Sequence, residues 1–303
     1  MSFSQSVKEE ILIHAPQARH CRIAELFGIY KLCGSSGEKN GIPYLKFQTE
    51  NINVARMCFT LLKKTFNITL NLSVRKSKSF IYIICIYEAG AENVRDALKL
   101  GETLETAAAL LTERDCCRRA FIRGTFLVAG SLNNPERSYH LEIVCGSSEF
   151  AEILKNTIVS FEVEAKIAIR KKYYVVYVKE GDGIVDMLNI MEANQSLLSM
   201  ENTRILKEMR NRVNRSVNCE TANIKKTVGA AVRQIGDIEY LISCGAFKEL
   251  DKGLKEIAEL RLENQEATLT ELGEMLNPPV GKSGVNHRLR KLSELAEKIR
   301  GAV

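Results

Sequence analysis

The stretch Lys282-Ser-Gly-Val-Asn-His-Arg-Leu-Arg-Lys-Leu292 gathers a hydroxyl, an amide, an imidazole and several cationic side chains. A guanidinium can bond bidentately to guanine and a carboxamide to adenine, so Arg290 and Asn286 are the candidates for reading base edges. Lys282, Ser283, His287, Arg288 and Lys291 complete this candidate DNA-contact set. A second group supplies charge. Between Arg204 and Arg233 stand eight basic residues and two acids, so this window carries the whole net charge of +6. Within it Arg210, Arg212, Arg215, Lys225, Lys226 and Arg233 are candidate phosphate contacts, which fix position without reading sequence. Arg204 and Lys207 would extend the track. Thr221 would cap a helix whose free amides, with Lys225 and Lys226, meet one phosphate. A localised positive field on an otherwise balanced chain points to a polyanionic partner.

These groups need elements to hold them. Thr268 followed three residues later by Glu271 is a capping box. Leu269, Leu272, Gly273 and Leu276 then share one helical face, with Gly273 marking a close approach. Two prolines after Asn277 stop that helix, because proline lacks an amide donor and collides with the preceding turn. In the next helix Val285, Leu289, Leu292, Ala296 and Ile299 form an apolar stripe. At about 100° per residue, Ser283, His287 and Arg290 lie opposite it, with Asn286 beside them. A short helix, a turn, and a helix with an apolar inner and polar outer face spell a helix-turn-helix, its second helix entering the major groove. The competing reading is a solvated helix face that happens to be basic.

Other chemistry is sparse. The four histidines, His14, His20, His140 and His287, include no pair at metal-ligand spacing. The nine cysteines include no C-x-x-C pair and are read as buried thiols, the ordinary state in a reducing compartment, with disulfides or zinc as the alternatives. No P-loop or dinucleotide fingerprint is present, so neither a cofactor nor a metal is expected.

The rest of the chain is repetitive. Ala24-Glu-Leu-Phe-Gly-Ile-Tyr-Lys-Leu-Cys-Gly-Ser35 overlays Ala120-Phe-Ile-Arg-Gly-Thr-Phe-Leu-Val-Ala-Gly-Ser131 at an offset of 96. Each copy continues through period-two and period-3.6 stretches, and the unit reads α-β-β-α-β-β-α twice. In the first copy the strands fall at Tyr44–Glu50, Ile68–Val74 and Phe80–Tyr87. In the second they fall at Ser138–Cys145, Val163–Arg170 and Tyr173–Lys179. Thr112 would cap the helix that opens the second copy. After about Gln195 the pattern is wholly helical, with Ile224, Val228, Ala231, Ile235 and Ile238 on one face and Leu254, Ile257 and Ala258 on another. The expected fold is α+β: repeats at 1–111 and 112–195, a basic helical linker at 196–220, and an all-α domain at 221–303. With 45% hydrophobic and 26% charged residues the chain has a globular composition. Its longest apolar run, Phe80–Tyr87, is far short of the roughly 20 residues a bilayer needs. No signal layout opens it, so a cytoplasmic location is expected.

The doubled pattern with glycine-marked helix ends resembles the LAGLIDADG homing endonucleases. Cys117-Arg-Arg-Ala-Phe-Ile-Arg-Gly-Thr-Phe-Leu-Val-Ala-Gly-Ser-Leu132, Asn211-Arg-Val-Asn-Arg-Ser-Val-Asn-Cys-Glu-Thr-Ala-Asn223 and the 282–292 string together resemble the bacterial WhiA regulators over nearly the whole chain. That resemblance implies a duplicated LAGLIDADG-like domain, a carboxyl-terminal helix-turn-helix, and a nucleoid-associated regulator of transcription. It also implies roles in cell division, chromosome segregation or sporulation; in some relatives the partner is an iron–sulfur regulator of the WhiB type. One departure is Gly281, where the family pattern leads us to expect serine.

The nuclease motif carries an acid just before its last glycine, and the two acids hold the metals that activate water. Here Cys33 and Ala129 occupy those positions. A thiol and a methyl group are poor ligands for a hard cation that prefers carboxylate and water oxygens. The expectation is a non-catalytic, sequence-specific binder of double-stranded DNA, with a metal-dependent endonuclease and a protein-interaction scaffold as its rivals.

Overall fold

The computed structural model describes residues 2–76 and 79–301. Its chain divides into two compact units, 1–207 and 208–303. In the first unit α1 (Phe3–Ile13) precedes two copies of one motif. The first copy is α2 (Arg19–Cys33), β1 (Gly34–Lys39), β2 (Ile42–Thr49), α3 (Ile52–Phe66), β3 (Asn71–Lys76), β4 (Phe80–Tyr87) and α4 (Glu88–Ala97). After α5 (Leu104–Leu111) the second copy runs α6 (Asp115–Ala129), β5 (Gly130–Leu132), β6 (Leu141–Cys145), α7 (Ser148–Val159), β7 (Lys166–Arg170), β8 (Tyr173–Val178) and α8 (Gly181–Ile190). Both sheets are antiparallel, ordered β1-β2-β4-β3 and β5-β6-β8-β7. The doubled α-β-β-α-β-β-α expectation therefore holds, and the offset of 96 reaches single residues. Asn51 and Ser147, which it superimposes, both cap the middle helix of their copy by accepting from backbone amides.

Period-two burial holds the sheets against the helices. Leu45 and Phe47 of β2, Ile84 and Ile86 of β4, and Leu141, Ile143 and Cys145 of β6 all point inward. Helices α2 and α6 lie side by side at the centre, with the Phe27 and Phe121 rings 5.8 Å apart. Their approach depends on two glycines at equivalent positions. A Cβ on Gly28 would fall 2.8 Å from the Phe121 carbonyl oxygen, and one on Gly124 would fall 2.4 Å from that of Glu25.

Three local expectations fail. Thr112 closes α5, its hydroxyl donating to the Ala108 carbonyl 2.7 Å away, and α6 instead begins after Arg114 without a side-chain cap. Strand β3 starts at Asn71, leaving Ile68 and Leu70 outside, and its Leu72 and Val74 are exposed because it is the edge strand of its sheet. Val163 is buried but precedes β7.

A single helix, α9 (Asn194–Ser243), carries the chain through the basic window. It is continuous across Thr221, so that residue caps nothing and the amides near Lys225 and Lys226 belong to mid-helix. Ile224 and Val228 are exposed, whereas Ile238 is buried: only the last turns of α9 meet the second unit's core. That core is completed by α10 (Lys252–Glu263), α11 (Leu269–Met275) and α12 (Lys282–Gly301), with a 3-10 turn at Ala246–Glu249. Leu254, Ile257 and Ala258 of α10 pack there with Leu272, Val285, Leu289, Leu292 and Ala296. No described helix is long and apolar enough to cross a membrane.

Candidate nucleic-acid interface

Helix α11 starts as its sequence dictates. The Thr268 hydroxyl accepts from the Glu271 amide at 3.3 Å, and a Glu271 carboxylate oxygen accepts from the Thr268 amide at 2.6 Å. This reciprocal pairing holds the Glu271 carboxyl below the usual carboxylate range. The turn that follows folds back tightly. The Val280 amide donates to the Gly273 carbonyl at 2.9 Å, and a Cβ on Gly273 would come within 2.1 Å of the Val280 oxygen. The close approach foreshadowed by Gly273 is thus made by the turn as well as by Val285, 3.2 Å from the same point. Helix α12 follows, its Val285, Leu289, Leu292 and Ala296 wholly buried and Ile299 packed against them.

That inner stripe decides where the polar residues stand. Lys282, Ser283, Asn286, His287, Arg290 and Lys291 are all exposed. The side chains of Lys282, Ser283, Asn286 and His287 are free of hydrogen bonds to other described residues. Arg290 is exposed but its Nε donates to Glu294 at 2.9 Å, and Lys291 lies 3.9 Å from Asp251. Arg288, expected to flank this face together with Lys291, is the less accessible of the two. At 100° per residue it falls on the border of the apolar stripe, and it is half-buried, with Nη1 3.4 Å from the Gly253 carbonyl of α10.

The basic window splits into two parts. Arg204 is drawn into ion pairs with Asp182 and, at 2.9 Å, Glu201, while the Lys207 ammonium sits 4.8 Å from the centre of the Tyr139 ring. Both therefore have partners in the first unit and do not extend a free track. Arg210, Arg212, Arg215, Lys225, Lys226 and Arg233 are exposed, with no carboxylate at ion-pair distance among the described residues. Arg212, Arg215, Lys226 and Arg233 fall on one side of α9 at helical spacing; Met209, Val213, Val217, Ile224 and Val228 fall on the other.

The two candidate sets meet at one place. A cleft of about 460 Å³ is lined by Lys226 and Gln234 of α9, Arg261 of α10, Thr268, and Lys282 and Asn286 of α12. Arg261 is 2% exposed and donates to the Ala267 carbonyl at 2.7 Å, which ties α10 to the start of α11. Its place in this cleft was not signalled by the sequence, where it reads as one more charge on α10.

In the duplicated unit Cys33 is half-buried beside Cys58, whose hydrogen bond lowers the Cys33 thiol's pKa. Ala129, at the equivalent position, offers only a methyl group. The buried charge lies elsewhere: Arg123 donates to Glu25 at 2.9 Å and to Glu192 at 3.0 Å. Burial pushes the Glu25 carboxyl up while the Arg123 guanidinium opposes that shift. The expectation of plain buried cysteines is only partly met: Cys21, Cys58, Cys117 and Cys145 are buried, whereas Cys116, Cys219 and Cys244 are exposed. Spacing along the chain also concealed a cluster. His20, Cys21, Cys116 and Cys117 place their donor atoms within 4.8 Å of one another.

The architecture is that of a LAGLIDADG-like body joined to a helix-turn-helix, and family comparisons divide the chain the same way. The WhiA N-terminal LAGLIDADG-like domain matches residues 19–100, the WhiA LAGLIDADG-like domain 118–210, and the WhiA C-terminal HTH domain 213–296. The chain is 51% identical to a probable cell division protein WhiA from Lachnoclostridium phytofermentans, over 99% of this chain and all of that relative. It is 45% identical to the protein of the same name from Alkaliphilus oremlandii, over 99% of this chain and 98% of that one. The crystal structure of full-length WhiA from Thermotoga maritima superimposes with a TM-score of 0.61 at 26% identity, covering 98% of this chain and 99% of that one. The chain belongs to the WhiA family.

Proposed function

We propose that this protein is a sequence-specific, double-stranded DNA-binding regulator of transcription that performs no catalysis. The supporting observation is the outer face of α12: Lys282, Ser283, Asn286 and His287 are exposed and uncommitted over a fully buried apolar stripe. Asn286 and Arg290 read base edges, and Lys282, Ser283, His287 and Lys291 bond neighbouring bases or phosphates. Arg288 braces α12 against α10 while its remaining amino group stays available to the backbone of the duplex. Arg210, Arg212, Arg215, Lys225, Lys226 and Arg233 hold phosphates, and the cleft joining Lys226 to Lys282 and Asn286 links grip to readout.

On this reading residues 221–303 recognise DNA, the basic linker 196–220 adds phosphate contacts through Arg210, Arg212 and Arg215, and the repeats 1–111 and 112–195 are a platform that has lost its nuclease. Cys33 and Ala129 leave that platform without the pair of acids that metal-assisted hydrolysis requires. The protein acts in the cytoplasm at the nucleoid, on genes of cell division, chromosome segregation or sporulation, and a WhiB-type regulator is the protein partner to test by co-purification. Genome-wide crosslinking of the full chain tests the reading: it should return one recurrent sequence motif. Uniform occupancy, or plasmid cleavage in Mg²⁺ by the purified chain, would contradict it.

A further inference from the structure

The offset of 96 that relates the repeats superimposes His20 on Cys116 and Cys21 on Cys117. Each pair occupies the first turn of a central helix, α2 or α6. Because those helices pack against each other, equivalent positions from the two copies converge, and four residues distant in sequence meet. The His20 Nδ1 lies 3.1 Å from the Cys117 sulfur, 3.3 Å from that of Cys21 and 4.0 Å from that of Cys116. We propose that His20, Cys21, Cys116 and Cys117 form a zinc site that staples the first turns of the two repeat helices together.

The geometry suits that ion. Bonds of about 2.3 Å to sulfur and 2.0–2.1 Å to nitrogen in a tetrahedron put the donors ~3.6–3.8 Å apart. The three nitrogen–sulfur separations straddle that spacing. Three thiolates and an imidazole form a closed Cys₃His set of the structural kind, and soft donors select against magnesium and calcium.

The surroundings are prepared for the residual negative charge of such a complex. Neither α2 nor α6 has a side-chain N-cap, so their first turns offer amide groups and positive dipole ends to the thiolates. Entry is open, since His20 and Cys116 are exposed and a cavity of about 460 Å³, lined in part by Cys21, Cys116 and Arg119, reaches the cluster. A disulfide would use two of the sulfurs and leave the third thiol and the imidazole unexplained.

Metal analysis of the full-length protein, purified under reducing conditions without chelator, tests this directly. One zinc per chain is expected, released by a mercurial thiol reagent. The stripped protein should take up Co²⁺ with the visible absorption of a tetrahedral thiolate complex. Cys116→Ser, at an exposed position that leaves the fold intact, should weaken zinc binding by more than about tenfold, since even loss of a supporting second-sphere partner costs 10–100-fold. Cys244→Ser, in the second unit, should leave it unchanged. Metal-free protein that gives no cobalt spectrum would overturn the proposal. So would a disulfide among Cys21, Cys116 and Cys117 in the reduced preparation, or zinc binding equal in the Cys116→Ser and native chains.

Discussion

The duplicated unit and the helical tail treat charge in opposite ways. In the first, Arg123 is 4% exposed and bonded to Glu25 and Glu192, Arg170 pairs with Glu142, and Arg204 is held by Asp182 and Glu201. In the second, a whole side of α9 presents Arg212, Arg215, Lys226 and Arg233 to solvent with no carboxylate partner among the described residues. Charge taken into a fold must be paired or hydrogen-bonded, as Arg123 is by two carboxylates and Arg261 of the second unit by the Ala267 carbonyl, because desolvation costs more than a lone ion can recover. Charge left in water keeps its capacity to displace counterions from a phosphate backbone. The same residue type therefore serves cohesion where it is buried, as Arg123 and Arg261 are, and stays free for a phosphate partner where it is exposed, as Arg212 and Arg233 are.

The largest effect should come from breaking the internal arrangement. Arg123→Met keeps the bulk of the side chain but leaves the fully buried Glu25 without its counter-ion, at a cost of about 3–5 kcal/mol. Unfolding followed by circular dichroism should show this loss, and a change below 1 kcal/mol would deny the pair its structural role. The pH dependence has a definite sign. Burial already raises the Glu25 carboxyl, and removing the guanidinium raises it further. A carboxyl raised in the folded state contributes stability that is complete below its unfolded value near 4.3 and is lost as pH rises through the folded value. The variant's deficit relative to the native chain should be greater at pH 8 than at pH 5.

Substitutions of the exposed basic residues in the tail should instead leave stability nearly alone and alter DNA binding. Arg290→Ala should cost about 1–3 kcal/mol on the cognate site and relax preference at one base pair. The Glu294 pair that Arg290 must release is an exposed helical one, worth only about 0.3–0.5 kcal/mol, so it does not forbid the contact. Equal loss on every sequence would reassign Arg290 to the backbone. Lys226→Ala and Arg233→Ala should weaken binding to all sequences, each flattening the salt dependence by about 0.9 in logarithmic slope. A slope unchanged in both variants would make the basic side of α9 a solvated surface.

Much of this was legible beforehand because it is local or periodic. The capping box, the α12 stripe and the duplicated element order follow from spacings of three, three-and-a-half and two, which the backbone imposes. Other features required the third dimension. Arg288 flanks the outer face by its helical angle, and only the packing of α12 on α10 shows that its guanidinium turns toward the Gly253 carbonyl. Ile224 and Val228 carried a core-like period, but the core reaches α9 only from about Ile238. The cluster at His20 escaped notice because its register is set by two helices crossing, and metal-ligand spacing within one segment cannot express that. The offset of 96 contained the information in a form that only the packing of α2 on α6 converts into proximity.

The weakest contrasts concern the two helix starts of the helix-turn-helix. Thr268 satisfies α11 reciprocally with Glu271, so Thr268→Ala should cost about 1 kcal/mol. Gly281, immediately before α12, has no side chain to offer, although the Gly284 and Val285 amides already turn toward its carbonyl at 2.9 and 3.1 Å. Nothing lies within 4 Å of where its Cβ would stand, so a serine fits. Its hydroxyl would accept an amide of the first turn, and glycine is itself a tolerated cap, so Gly281→Ser should gain only a few tenths of a kcal/mol. The gain should appear in thermal unfolding of the tail and leave that of the duplicated unit unmoved. On DNA the same hydroxyl would stand one residue before Lys282, at the end of α12 that the proposed function places in the groove. An affinity increase well beyond those few tenths would mean that the serine bonds a phosphate directly, adding to the contacts of Lys282 a role that capping alone does not supply.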